Sequence, residues 1–306
     1  MYHKHQRISP GLFDPNPLPD TYPGEGYPTD IIKIHNGVWK PLQNFILEMA
    51  LSPSPFISPL QPWEQEITSQ VRCLQPRHVI LKHLEHGTFL SCSDGSAADN
   101  TGTFGFIISA TDGTRLAKGN GPATGAYPNS FRSEAYGVLA TLRWIHQEMQ
   151  KLDVEPPSSC QVIHYLDNKS VIHRIKRTKS VHHRIPNHQL FPEQDVIEEI
   201  VATWRRMSVH VTFEWVKGHQ DQQRPKQQLP LAAQLNCEAD HESTRINRYD
   251  PAVHHLVTPL PHSPCQLVIS NRSITNNIKR RVYLSATKRL ITQLSMLAVP
   301  MGCGNL

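Results

Sequence analysis

The sequence has no stretch of about 18 consecutive apolar residues, so no membrane-spanning helix is expected. Its start, MYHKHQRISPG, contains no apolar run and does not read as a secretory leader. The six cysteines, at 73, 92, 160, 237, 265 and 303, include no C-x-x-C pair and no Cys/His pattern with zinc spacing. Several of them sit inside apolar runs, as reduced, buried thiols of a cytosolic or nuclear protein do. No internal repeat is present. Acids are missing from two long tracts. Residues 168–192 hold six Lys/Arg and no Asp or Glu, and residues 251–306 again hold six and none. Two such tracts point to a polyanionic partner, although a solvated basic surface is the plain alternative for either one.

What is present divides unevenly. The chain has 306 residues, 38% of them hydrophobic, a modest supply for one core over this length. Eleven of its 25 prolines fall in residues 1–62, which read as loop, polyproline II or tether. Three regions are expected: a Pro-rich, partly ordered N-terminal extension over 1–76, a folded domain over 77–250, and a small basic C-terminal extension over 251–306.

Periodicity predicts the elements. A helix opened by proline and acids is expected over 62–74. Strands are expected at 88-TFLSCSD-94, 103-TFGFIISA-110 and 114-TRLAKGN-120, joined by turns at Asp99-Asn100 and Asp112-Gly113. Residues 131–150 carry Tyr136, Leu139, Ala140, Leu142, Trp144 and Ile145 at helical spacing. A strand over 161–167 follows, then a short helix from Asn168, a His-rich connector, a helix over 192–207, a strand over 209–216 and a helix over 231–246. The order β-β-β-α-β-α-α-β-α describes an α/β domain, a mixed five-stranded sheet flanked by helices. In the C-terminal extension, 265-CQLVIS-270 reads as a strand. A helix over 277–298 carries Tyr283, Ala286, Leu290, Leu294 and Leu297 as a packing stripe.

Four carboxylates stand at the ends of these elements. Asp94 closes the first strand, Glu134 lies early in the first long helix, Asp167 closes the fourth strand and Asp240 lies in the last helix of the domain. Each has an ordinary reading as a turn residue, a helix-dipole partner or a solvated charge. If the first and fourth strands are neighbours, however, the four acids meet at one sheet edge. Converging carboxylates repel unless neutralised. A pair of hard divalent cations would neutralise them, and oxygen-only ligands select Mg2+, with Mn2+ as a substitute. Two such ions can activate a water and stabilise the leaving oxygen of a phosphodiester. Gly95 would allow close backbone approach. The strand 209-VHVTFEWV-216 ends at Lys217-Gly218, a plain turn by itself, and presents His219 at its mouth.

The segments SDGS, GTFGFIIS, FRSEAYGVLATL, YLDNKSV, EWVKGH and NCEAD occur in this order over residues 88–246, about half of the chain. Together they resemble the ribonuclease H type 1 family, including the ribonuclease H domains of reverse transcriptases. The resemblance implies a ribonuclease H-like fold and hydrolysis of the RNA strand of RNA–DNA hybrids with two Mg2+ ions. It also implies that Asp94, Glu134, Asp167 and Asp240 are the metal-binding acids. His219 takes the position of the mobile-loop histidine that assists proton transfer and product release. Candidate substrate contacts are Gly95, Ser96, Asn168, Lys169, Lys176, Arg177 and Lys179, the last three within a short, His-rich version of the family's basic protrusion. The first 80 residues carry no polymerase-like acidic pair, so the chain is not expected to be a full reverse transcriptase; the resemblance leaves open a fragment of a retroelement polyprotein or a gene derived from one. Two rivals stay open: a catalytically degenerate nucleic-acid-binding module, and another nuclease of the same fold superfamily. The expected partner is nucleic acid, with no membrane involved.

Overall fold

In the computed structural model, the described residues are 32–35, 38–41, 61–99, 101–125, 128–151, 160–180, 191–246, 260–261, 267–269 and 272–297. The chain divides into two compact units, Met1–Ser58 and Pro59–Leu306. Within the first, β1 (Ile32–His35) and β2 (Val38–Pro41) pair antiparallel, with Ile34 opposite Trp39. Proline content alone pointed to loop or polyproline II here. The β-branched and aromatic residues of IKIH and VWKP are what favour local pairing.

The second unit is built on a mixed six-stranded sheet in the order β3-β6-β5-β4-β7-β8. Its strands are β3 (Arg72–Cys73), β4 (Thr88–Ala98), β5 (Thr101–Ala110), β6 (Arg115–Pro122), β7 (Gln161–Leu166) and β8 (His210–Trp215). The meander β4-β5-β6 is antiparallel, and β7 and β8 add in parallel on the other side of β4. Five of these strands are the expected ones. The sixth is the two-residue edge strand β3, paired with Lys118 and Ala117 of β6 and too short to show a period of two.

Seven α-helices are described: α1 (Pro62–Thr68), α2 (Arg77–His86), α3 (Ser130–Met149), α4 (Lys169–Ser180), α5 (Gln194–Arg206), α6 (Leu231–Thr244) and α7 (Ile278–Leu297). The sheet is buried on both faces, as a sheet with parallel crossovers must be. On one face Phe89, Phe104, Phe106 and Val162 pack with Tyr136, Leu139 and Leu142 of α3 and with Ile197 and Ile200 of α5. On the other, Leu90, Cys92 and Ile107 pack with Ala233, Leu235 and Ala239 of α6. Successive residues of β4 therefore serve opposite layers.

Some expectations moved. Helix α1 ends at Thr68, and its Trp63 and Ile67 belong to the core, with Arg143 over the Trp63 ring and paired with Glu64. Helix α2 was not foreseen. Tyr283 of α7, expected to pack, is 67% exposed. The His-rich connector over 181–190, with His182, His183 and His188, lies outside the described residues, as does residue 265.

Candidate active site

Parallel pairing sets the first two acids side by side. β4 and β7 pair at a constant offset, Thr88 opposite Gln161 through Cys92 opposite Tyr165. The same offset carried two residues further brings Asp94 to Asp167. Beneath them, buried His164 bridges Ser91 Oγ at 2.8 Å and Ser93 Oγ at 3.0 Å, tying the two strands by side chains as well. Burial pushes the His164 pKa down to about 3, so the ring is neutral.

Helix α3 brings the third acid. Its N-cap Asn129 accepts the Arg132 N–H at 2.8 Å, and Glu134 follows in the first turns. The helix lies unusually close to β4. A Cβ on Gly95 would run into the Glu134 N–H and the Ser133 side chain, and one on Gly137 would come within 2.8 Å of Ser93 Cβ. Both glycines are needed because only a bare backbone fits there. Asp94, Glu134 and Asp167 each offer an oxygen, all within 4.8 Å of one another.

Helix α6 supplies the fourth acid. Gly105, which pairs with Asp94 in the sheet, lets the α6 backbone at Ala239 and Ser243 rest directly on β5. Asp240 sits at the rim, with its side chain 40% exposed, and its Oδ2 lies 4.0 Å from His219 Nδ1. The acids two residues away on either side along the same helix are already paired. Glu238 pairs with Arg115 and Lys226, and Glu242 with Lys118, Arg72 and Arg245. Among the described residues no Lys or Arg forms an ion pair with Asp94, Glu134 or Asp167.

This arrangement strains the ionised forms. Burial, the Asp167 and Asp240 charges and its partial relief by Glu134 leave the Asp94 pKa at about 7. Burial and the Asp94 and Asp167 charges push Glu134 well above the usual carboxylate range. Glu134 Oε2 is buried and has no hydrogen-bond partner. Clustered, desolvated, oxygen-only carboxylates with an orphaned acceptor are what a hard divalent cation would satisfy, so the donor set fits Mg2+ or Mn2+.

The loop after β8 is held against the site. Val216 N–H donates to Leu166 O at 2.9 Å, and Trp215 Nε1–H donates to Asp167 O at 2.9 Å. Gly218 packs on the Asp167 carboxylate so closely that a Cβ would overlap Oδ2. The glycine is there for close approach. His219 follows with φ of 51°, a left-handed backbone uncommon for histidine, and its ring is exposed.

The candidate substrate contacts are spread more widely. Gly95 and Ser96 adjoin the acids, and Ser96 O accepts from Ser133 Oγ at 3.2 Å. Asn168 Oδ1 accepts the Ser170 and Val171 N–H groups and so starts α4. Lys169 Nζ stands 4.0 Å from the centre of the Trp215 ring. Lys176 and Arg177 are exposed but about 14 Å of helix rise beyond Asp167. Lys179 Nζ lies over the Trp204 ring at 3.1 Å, a packing contact. The sequence reading missed the contacts of Trp215 and Gly218 with Asp167. The signal was in EWVKGH, where the side chain ending the strand and the glycine both face the neighbouring strand's acid.

No family model matches this chain, and no curated protein matches it. Solved structures similar to it are ribonuclease H domains. The N-terminal ribonuclease H domain of a Mycobacterium tuberculosis protein, fused to maltose-binding protein, has 17% identity over 51% of this chain and 90% of that one, with a TM-score of 0.33. Ribonuclease H1 from Halobacterium salinarum has 12% identity over 44% of this chain and 90% of that one, with a TM-score of 0.31. The protease–reverse transcriptase of prototype foamy virus has 14% identity over 54% of this chain and 22% of that one, with a TM-score of 0.33. The fold is ribonuclease H-like on this chain's own topology: an antiparallel meander whose first strand is central and takes the two later strands in parallel.

Proposed function

We propose that this chain is an endoribonuclease that hydrolyses the RNA strand of RNA–DNA hybrids. The observation that carries the reading is the cluster of Asp94, Glu134 and Asp167, with oxygens within 4.8 Å of one another and, among the described residues, no Lys or Arg paired with them. In this reading those three residues and Asp240 hold two Mg2+ ions. When bound, the ions would supply an activated water and stabilisation of the leaving oxygen. Asp94 and Asp167, fixed on adjacent strands, give the site its rigidity. Asp240 stays half in water and orients His219. The His219 imidazole, exposed at the rim, is the group placed to take up and hand on a proton. Discrimination of the RNA strand would come from backbone shape and the 2′-hydroxyl, sensed near Gly95 and Ser96. A retroelement origin is part of the proposal and is supported by the resemblance of six ordered motifs to reverse-transcriptase ribonuclease H domains.

The test is a substrate panel. Purified chain is incubated with labelled RNA–DNA hybrid, duplex DNA and duplex RNA, with Mg2+ or with chelator. Cleavage of only the hybrid's RNA strand, and only with Mg2+, is expected. Preferential cutting of duplex DNA would move the chain to another nuclease class. No cutting by a folded chain would leave only a binding module.

A further inference from the structure

The two acid-free basic tracts are far apart in sequence but meet on one short segment of the fold. From the first tract, Arg174 of α4 donates through Nη2 to Pro192 O at 2.7 Å. From the second, Asn276 donates through Nδ2 to Glu193 Oε1 at 2.7 Å, and Thr275 O accepts the Glu193 N–H at 2.8 Å. The grip is therefore on consecutive residues, 192 and 193. The Glu193 half is buried: Ile274, Thr275 and Asn276 are all at most 9% exposed, while the Pro192 contact is at the surface. Asn276 in turn accepts from Arg281, through its backbone O and its Oδ1, both at 3.1 Å, which fixes the start of α7.

The acids of this segment do not neutralise the surface above them. Glu193 Oε2 and Asp195 Oδ2 each lie 2.8 Å from the guanidinium of Arg132, which is buried. Lys279 and Arg280 of α7 are exposed, and among the described residues neither has an ionic partner. They lie in the first turn of α7, where no acid is present and where the helix dipole disfavours cations. They do not stabilise their own helix. Lys176 and Arg177 of α4 are likewise exposed.

We propose that α7 is a second contact for duplex phosphates, docked through Glu193 so that Lys279 and Arg280 extend the basic surface of α4 away from the acidic cluster. The inference rests on the nucleic-acid reading above but not on cleavage. Charge decides the occupant: a region of 56 residues with six Lys/Arg and no acid suits a polyphosphate backbone. The contact would add affinity for either hybrid or DNA duplex, since phosphates carry no sequence information.

The experiment measures binding of full-length chain to a short RNA–DNA hybrid and to a DNA duplex of equal length. Fluorescence anisotropy is read over a salt series with Ca2+ in place of Mg2+. The variant Lys279→Ala/Arg280→Ala should reduce the slope of log affinity against log salt by about 1.8, at about 0.9 for each phosphate no longer neutralised. Asn276→Ala, which removes one of the two bonds to Glu193 and the Oδ1 acceptor of Arg281 but no charge, should flatten the slope in the same direction. An unchanged slope in the double variant overturns the contact, as does failure of the wild type to bind either duplex. A flattened slope in the double variant with none in Asn276→Ala overturns docking through Glu193. If the wild type cuts no hybrid yet the double variant flattens the slope, the proposed activity fails and this contact stands. If it cuts hybrid and the slope is unchanged, the reverse holds.

Discussion

Gly218→Ala tests how tightly the loop after β8 is fitted to the acidic cluster. At 218 an added Cβ meets Asp167 Oδ2 well inside the 3.0 Å that Cβ atoms keep from their neighbours. Trp215 Nε1–H holds only the Asp167 backbone carbonyl, so the carboxylate can turn, but turning takes its oxygens away from those of Asp94 and Glu134. Either the loop backs off, carrying His219 with it, or Asp167 leaves its place beside Asp94 and Glu134. The displacement is on the order of half to one ångström, and misplacing a catalytic group by about 1 Å costs about 10²-fold in rate. Global stability should fall by about 1–3 kcal/mol, the ordinary cost of one overpacked methyl, with the fold retained. Single-turnover cleavage of hybrid in saturating Mg2+, paired with thermal unfolding, separates the two effects. The reasoning predicts a rate loss of about 10–100-fold with the fold retained. A variant within twofold of wild type would refute it, because the close approach would then do nothing for the site.

Three further outcomes are expected. His219→Ala should slow hybrid cleavage by about 10²-fold, the low end for general acid–base help at an exposed site, and complete loss in a folded variant would contradict the auxiliary role. Arg132→Ala leaves Glu193 and Asp195 without their buried cation, so denaturant unfolding should show a loss of about 3–5 kcal/mol, and a change below about 1 kcal/mol would contradict the ion-pair reading. His164 is neutral in the fold at about pKa 3 against 6.5 for a free ring, so the unfolded chain binds the extra proton and this residue's contribution falls as pH drops below 6.5. The stability difference between wild type and His164→Asn should therefore shrink by about 1.4 kcal/mol per pH unit below 6.5, and a pH-independent difference would contradict the buried neutral ring.

The sheet was legible because its strands alternate and its turns carry Asp and Gly. The approach of Asp94 to Asp167 was expected only if the first and fourth strands were neighbours, and β4 and β7 do pair. Elements without a period were missed: β3 has two residues, and α2 reads RHVILKHLEH, with apolar and polar residues too mixed to mark a face. Contacts between distant segments leave no local trace. Glu193 and Asn276 are 83 residues apart, and nothing in PEQD or TNN announces that they meet. Gly95 was read as a point of close backbone approach, and the α3 backbone at Glu134 is what approaches it; Gly137 and Gly218 were not read this way, since what approaches them is set by the fold. The stripe on α7 was a true helical period, but a period does not say whether anything covers Tyr283.

The central claim is that the Asp94–Glu134–Asp167 cluster is a divalent-metal site that cleaves RNA paired with DNA. Its most direct test is Mg2+-dependent cleavage of labelled hybrid by wild type and Asp94→Asn side by side, with hybrid binding measured for both in Ca2+. Loss of a charged metal ligand should remove several kcal/mol of transition-state stabilisation, a rate loss of about 10³-fold or more, while binding survives. An Asp94→Asn chain that cuts hybrid within about tenfold of wild type, or wild-type cutting that persists in chelator, would contradict the account.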